Sequence, residues 1–287
     1  MPLCFFVSDL HGRESRYEKL FRKIEEERPD SLFLGGDLFP SGKYKSSFKT
    51  THDEDFVKDY LIKGFSELKN KLKDHYPRVF IILGNDDGRQ EENKIIEAGS
   101  TGIWEYIHDK KTRFDIFTVY GYAFVPPTPF MLKDWERYDV SRYTDPGSVP
   151  PEEGWHSYPV KKDDIIYSTI KADIESLVKE DDLSHAIFLF HTPPYQTLLD
   201  RAALDGVMYE HVPLDLHVGS IAVKRFIEEK QPLITLHGHI HESPRLTGSW
   251  KEQLGRTFAY SAAHDGPELA LVRFDPEKPE EATRELL

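Results

Sequence analysis

The sequence predicts an α/β protein, because short apolar, β-rich runs alternate with amphipathic helical stretches and each run stops at a small or polar residue. The runs lie at 3–7, 31–35, 79–83, 186–190 and 233–236. They read as buried strands that end in loops. Between the first three lie two helical stretches. Residues 14–28 set Tyr17, Leu20, Phe21 and Ile24 on one face, and roughly 55–74 does the same with Phe56, Tyr60, Phe65, Leu68 and Leu72. Helices near 163–181 and 219–230 follow, then short strands near 256–261 and 268–274. Two stretches break this rhythm, the polar segment 40–54 and the proline-rich 126–162. Loops so long are usually functional or mobile. For 126–162 two readings stand: an insertion packed on the surface by Trp135, Trp155 and Tyr158, or a lid facing the substrate. The expectation is a single domain over 1–287 carrying these two insertions, without internal repeats.

Bulk properties narrow the function. The balance of 37 Lys plus Arg against 50 Asp plus Glu gives a net charge of -13, so broad nucleic-acid binding is disfavoured. Two bound divalent cations would reverse the charge locally and draw in a small anion. The single Cys4 lies in the apolar run 3–7 and reads as a small core hydrophobe, which fits a reducing compartment. With no signal-like segment and no stretch of ~18 apolar residues, the protein reads as cytoplasmic and not membrane-bound. Its oligomeric state is not legible.

The strand ends carry the chemistry. Ser8-Asp9-Leu10-His11-Gly12 follows the first run, where alternate carboxylate and imidazole can point into one site. A helix cap at Asp9 is the alternative. Gly35-Gly36-Asp37 allows close backbone approach followed by a carboxylate whose two oxygens can bridge two cations, or a plain turn. Gly84-Asn85-Asp86-Asp87-Gly88 offers an amide for a metal or a phosphate oxygen, or again a turn. His191-Thr192-Pro193-Pro194 and His237-Gly238-His239-Ile240-His241 close the set, and two histidines separated by one residue suggest a metal. An array of Asp, Asn and His without Cys suits divalent Mn, Fe or Zn.

In this order the pieces resemble the calcineurin-like metallophosphoesterase family, whose motifs run D-x-H, G-D, G-N-H-D/E, H and G-H-x-H. The likeness spans residues 9 to 241. The stretch from His191 to Pro194, with Asp200, His217 to Ser220, Gln231-Pro232 and Gly238 to Ser243, is similar to the Icc-related branch. The resemblance implies two β-sheets packed face to face with helices on the outside, an α/β/β/α sandwich. It further implies two divalent ions, the first held by Asp9, His11 and His241, the second by Asn85, His191 and His239, with Asp37 bridging. Such a pair clamps phosphoryl oxygens and provides a hydroxide nucleophile near neutral pH.

One departure matters. The family commonly writes Gly-Asn-His-Asp where this chain has Gly84-Asn85-Asp86-Asp87, so the His that would stabilise phosphate or protonate a leaving group is absent. An ionised Asp86 would repel phosphate and protonate nothing, so Asp86 is a catalytic candidate only if burial near negative charge raises its pKa, and otherwise it turns outward. A diester carries less negative charge than an ionised monoester, so a phosphodiester leads the list of small phosphate-ester substrates. His217 and His264 are candidates for the missing acid; His52 and His156 would need their loops to fold over the site. Ser220, at a helix start, could offer backbone N–H groups to a substrate anion, or act only as an N-cap. His237 is either a further metal-proximal imidazole or a core histidine, and Tyr195, Trp104 and Tyr106 are candidates for base stacking or packing. The competing reading is a metal-containing nucleotide- or phosphoprotein-binding regulatory module with little turnover; an amidohydrolase is disfavoured because there the His-x-His opens the chain.

Overall fold

In the computed structural model, which describes residues 2–40 and 55–287, the buried apolar runs become the central strands of two sheets. The strands are β1 (Cys4–Val7), β2 (Ser31–Gly35), β3 (Arg78–Ile82), β4 (Glu105–Tyr106), β5 (Lys110–Phe114), β6 (Phe117–Tyr122) and β7 (Ala186–Phe190). They continue with β8 (Met208–Tyr209), β9 (Val212–Pro213), β10 (Ile234–His237), β11 (Lys251–Leu254), β12 (Thr257–Ser261), β13 (Ala270–Phe274) and β14 (Thr283–Leu286). One sheet runs β14-β13-β1-β2-β3-β4 and the other β11-β12-β10-β7-β6-β5, while β8 and β9 form a separate hairpin. Strands β1 to β4 are parallel, as are β12, β10, β7 and β6, with antiparallel strands outside them. Fully apolar strands belong at such positions, covered on both faces.

One continuous core runs between the sheets and under the helices that cover them. Phe80 of β3 meets Phe114 of β5 with ring centroids 5.9 Å apart, and Tyr260 of β12 meets Phe274 of β13 at 5.8 Å. Cys4 is buried there, as expected of a small core hydrophobe. The helices lie outside: α1 (Glu14–Glu27), α2 (Lys63–Leu72), α3 (Glu92–Gly99), α4 (Lys162–Tyr167), α5 (Ile170–Val178), α6 (Ile221–Lys230) and α7 (Ser243–Thr247). Phe21 of α1 packs edge-on to Phe65 of α2 at 5.1 Å, and Phe226 of α6 stands over Phe188 of β7 at 4.9 Å. The architecture is the expected α/β sandwich of two sheets.

Several boundaries differ from expectation. The stretch 55–74 opens with a π-helical turn, Phe56–Ile62, before α2. The helix expected over 163–181 is two, because Ser168 and Thr169 are extended and the Thr169 hydroxyl accepts from Ala172 N as the N-cap of α5. The hairpin of β5 and β6 was not expected; its strands follow one another through Asp115-Ile116, with Asp115 at φ 54°. Apart from Pro40, the 40–54 insertion, with His52, lies outside the described residues. Among the described residues no helix is long and apolar enough to cross a membrane.

Candidate metal centre

Five parallel strands, β1, β2, β3, β7 and β10, deliver their C-terminal loops to one crevice, the usual place for a ligand in an α/β sheet. The loops after β1 and β2 are zipped together by Asp9 N to Gly36 O (2.9 Å), His11 N to Asp37 O (2.8 Å) and Gly12 N to Leu38 O (2.8 Å). The loops after β7 and β10 join through Gly238 N to His191 O (2.9 Å), and His239 N donates to Asp9 Oδ1 (3.0 Å) across the two sheets. Asp9, His11, Asp37 and His239 all have φ between 48° and 72°. Backbone in this left-handed region is costly for residues other than glycine and concentrates where surrounding structure holds side chains for function. Gly84 is required by proximity: a Cβ there would overlap the Asp37 carboxylate and approach His191 Nε2 to 2.7 Å.

The side chains converge in two groups that share Asp37. Asp9, His11, Asp37 and His241 bring ligand atoms within 4.8 Å of one another, and so do Asp37, His191 and His239. His11 Nε2 and His241 Nε2 are 3.0 Å apart, and His241 Nε2 is 3.2 Å from Asp9 Oδ1. His191 Nε2 lies 3.3 Å from Asp37 Oδ2 and 3.1 Å from Asn85 Oδ1, which brings Asn85 into the second group. Its other nitrogen, Nδ1, is 2.8 Å from Gly35 O, an arrangement that fixes the ring and aims Nε2 inward.

The electrostatics suit a cation. Asp9 is fully buried, but the neighbouring His241, His191 and His11 overcome burial and hold its carboxyl well below the usual range. Asp37 is held at about 2 in the same way, burial being outweighed chiefly by His191 and His11. Burial pushes His11 down to about 4 and His239 to about 3, so both are neutral imidazoles at pH 7. For His191 burial is outweighed by Asp37 and Asp9, which take it up to about 9, and Asp9 raises His241. Two ionised carboxylates and four imidazoles packed this closely fit divalent metal, since buried charge of this density is ordinarily paired or coordinated.

The residues after Asn85 have separate tasks. Asp86 does not turn outward: its carboxylate lies 3.6 Å from His11 Nδ1, drawn in by the Asp37 Oδ1 that accepts its backbone N–H (2.8 Å). Asp87 is fully buried, and its oxygens accept from Leu38 N, Phe39 N and Gly84 N at 2.8–3.1 Å. It thereby clips the Asp37 loop to the Asn85 loop.

A cleft of about 350 Å³ opens beside the centre, bounded by Asp37, Asn85, His239 and His241 on its floor. One wall is the 126–162 insertion, through Pro126–Phe130 and Asp145–Ser148; the segment carrying Leu204, Leu214 and His217 forms another. The insertion is a braced wall rather than surface decoration. Trp135 is buried and donates from Nε1 to Asp87 O (2.9 Å), while a fully buried Lys133–Glu136 pair holds Thr128. Trp155 and Tyr158, the other expected packing anchors, are exposed.

The remaining candidates separate clearly. His217 lines the cleft, its Nδ1 2.7 Å from the buried Asp200 carboxylate. His264 is not among the residues lining the cleft; its Nε2 is 2.9 Å from Glu268. Ser220 caps α6, accepting from Val223 N (3.0 Å), and the helix start is already filled by the Asp139 carboxylate, which accepts from Ser220 Oγ and Ile221 N. An internal anion thus occupies the place considered for a substrate. His237 is a core histidine between Thr192 O (2.9 Å) and Thr235 Oγ1 (2.8 Å), and Trp104 and Tyr106 are packed in the core. Tyr195 donates its hydroxyl to Asp215, and His156 faces Pro151 O. Asp87, Asp139 and Lys133 were given no role from the sequence. Among these, only Asp87 carried a signal, as the second carboxylate in a Gly-Asn-Asp-Asp-Gly turn.

No curated protein matches the chain. One solved structure superposes over 100% of this chain and 99% of its own, with a TM-score of 0.61 and 17% identity. TT1561 of Thermus thermophilus superposes over 99% of this chain and 98% of its own, with a TM-score of 0.55 and 16% identity. Phosphopantetheinyl hydrolase from Mycobacterium tuberculosis does so over 92% and 90%, with a TM-score of 0.51 and 14% identity. At these identities the likeness is one of fold. The profile of the calcineurin-like phosphoesterases matches residues 4–243, and the chain belongs to that family.

Proposed function

We propose that the protein is a binuclear metal-dependent phosphodiesterase. The observation that carries the two-metal reading is the pair of ligand groups sharing Asp37, with Asp9, His11 and His241 on one side and Asn85, His191 and His239 on the other. Bound cations, drawn from Mn, Fe or Zn, would polarise the phosphoryl group and supply a nucleophile from water near neutral pH. The chain's own residues orient the reaction. Asp37 offers an oxygen to each group, Gly35 O fixes the His191 ring, and Asn85 could also meet a phosphate oxygen through its amide nitrogen.

Preference for a diester is supported by the lining of the cleft. Asp86, Asp145, Asp215 and Glu242 contribute carboxylates, and the described lining residues include neither Lys nor Arg. A dianionic monoester or a polyphosphate would meet this negative wall away from the metals, whereas a singly charged diester presents less charge to repel. Pro126, Pro127, Phe130, Leu204 and Leu214 give the same cleft an apolar surface for the ester substituent. The test compares bis(p-nitrophenyl) phosphate with p-nitrophenyl phosphate from pH 6 to 9 after loading with each metal. Diester turnover should dominate. Equal turnover would count against the diester preference, and ligand binding without turnover on any metal would favour a regulatory binding module.

A further inference from the structure

We propose that His217 donates the proton to the departing alcohol, with Asp200 as the residue that positions it; the assignment rests on the phosphodiesterase reading. Asp200 is fully buried and its carboxylate cannot swing, because Gln196 N (2.9 Å), Thr197 N (2.9 Å) and Gly219 N (3.1 Å) all donate to it. His217 brings Nδ1 to within 2.7 Å of that anchored oxygen. The Asp200 oxygens accept from the backbone N–H groups around them, and with the same oxygen as acceptor Nδ1 carries hydrogen, leaving Nε2, across the ring, as the atom that can meet a substrate. The backbone is held too: His217 N donates to Asp215 Oδ1 (2.9 Å), and Tyr195, hydrogen-bonded to the same carboxylate, stands edge-on to the imidazole at 6.2 Å.

His217 lines the same cleft as Asp37, Asn85, His239 and His241, and Asp200 lies buried behind it. The ionisable groups around it are Asp200, Asp215 and Tyr195, with Asp86, Asp145 and Glu242 on the cleft wall; Arg201 turns its guanidinium to Asp205. An imidazole oriented by a buried carboxylate at a reaction cleft is the usual construction of a general acid. It supplies what position 86 lacks, since Asp86 is turned to His11.

In the step, the oxygen of water forms a new bond to phosphorus while the P–O bond to the alcohol breaks with its electron pair on the leaving oxygen. That oxygen takes the proton from His217 Nε2. The water's proton passes to solvent, and the imidazole is reprotonated from solvent, leaving a phosphomonoester and an alcohol.

The experiment uses full-length protein and phosphodiesters whose leaving groups run from p-nitrophenol through phenol to an alkyl alcohol. A good leaving group needs no acid, whereas an alcohol does. His217→Gln should therefore lower kcat/KM for the alkyl ester by about 100-fold or more, within the usual range for general acid catalysis, and change the p-nitrophenyl ester by less than about 5-fold. Metal content should be unchanged, and imidazole should restore alkyl-ester turnover to His217→Ala. Asp200→Asn should displace the basic limb of the pH profile for the alkyl ester alone. Equal losses along the series, or loss of metal in His217→Gln, would overturn the assignment. Should the wild type cleave no diester, the phosphodiesterase reading falls and takes the assignment with it.

Discussion

Replacing Asp87 by Ala separates the architecture of the centre from its ligands, because Asp87 is not one of them yet holds two ligand loops together. Its carboxylate is fully buried and satisfies Leu38 N, Phe39 N and Gly84 N, all on buried residues. Truncation removes the acceptor and leaves three donors behind. A buried donor without a partner costs roughly 1–3 kcal/mol, and water entering the new space recovers some of that, so the loss of stability should fall at about 3–6 kcal/mol. The side chain is small and its packing contribution secondary. Guanidinium unfolding followed by fluorescence of the four tryptophans would measure the shift in midpoint at constant slope. The loop carrying Asp37 would no longer be fixed to the loop carrying Asn85, so metal affinity should fall in the same variant. Asp87→Asn keeps an acceptor oxygen and should lose less. A change below ~1 kcal/mol for Asp87→Ala, with metal retained, would refute the view that this carboxylate braces the site.

Three other consequences can be measured directly. Asp37→Asn should lose metal and activity together, since Asp37 stands in both ligand groups; two tightly retained ions per chain would refute its bridging role. Metal binding should release protons at pH 7.5, because Asp37 and Asp9 hold His191 protonated up to about 9 in the metal-free protein and a ligand nitrogen must be bare. The raised pKa means that the metal-free protein gains stability from this proton below His191's ordinary range and loses it as pH rises through about 9. Apparent metal affinity should run the opposite way, increasing over that window; calorimetry in buffers of different ionisation enthalpy would detect the release, and a buffer-independent heat would contradict it. Lys133→Met should cost about 3–5 kcal/mol by stranding the buried Glu136 carboxylate, and adding Glu136→Leu should recover part of it. Equal stability of the single and double variants would show that the ion pair does not brace the cleft wall.

What the sequence determined by itself was the part of the molecule that depends on short-range pattern. Five apolar runs become β1, β2, β3, β7 and β10, because a strand covered on both faces leaves an unbroken hydrophobic signature. The residues that follow them are candidate ligands legible from chemistry and spacing, and the structure brings all seven to one crevice. The hairpin of β5 and β6 escaped notice, since half-exposed strands such as Lys110–Phe114 mix charge with apolar positions and carry a weak signal. The roles of polar residues were decided only by tertiary structure. As the missing acid His264 looked as suitable as His217, and the Ser220 helix start was open to an anion, yet Glu268 takes His264 and Asp139 fills the α6 start, while Asp200, 17 residues away, turns His217 to account. The physical reason is that a hydrogen bond depends on distance and direction to an ångström, and folding brings together partners whose separation along the chain carries no trace of their contact. Hydrophobic pattern survives in sequence; the partner of a polar atom does not.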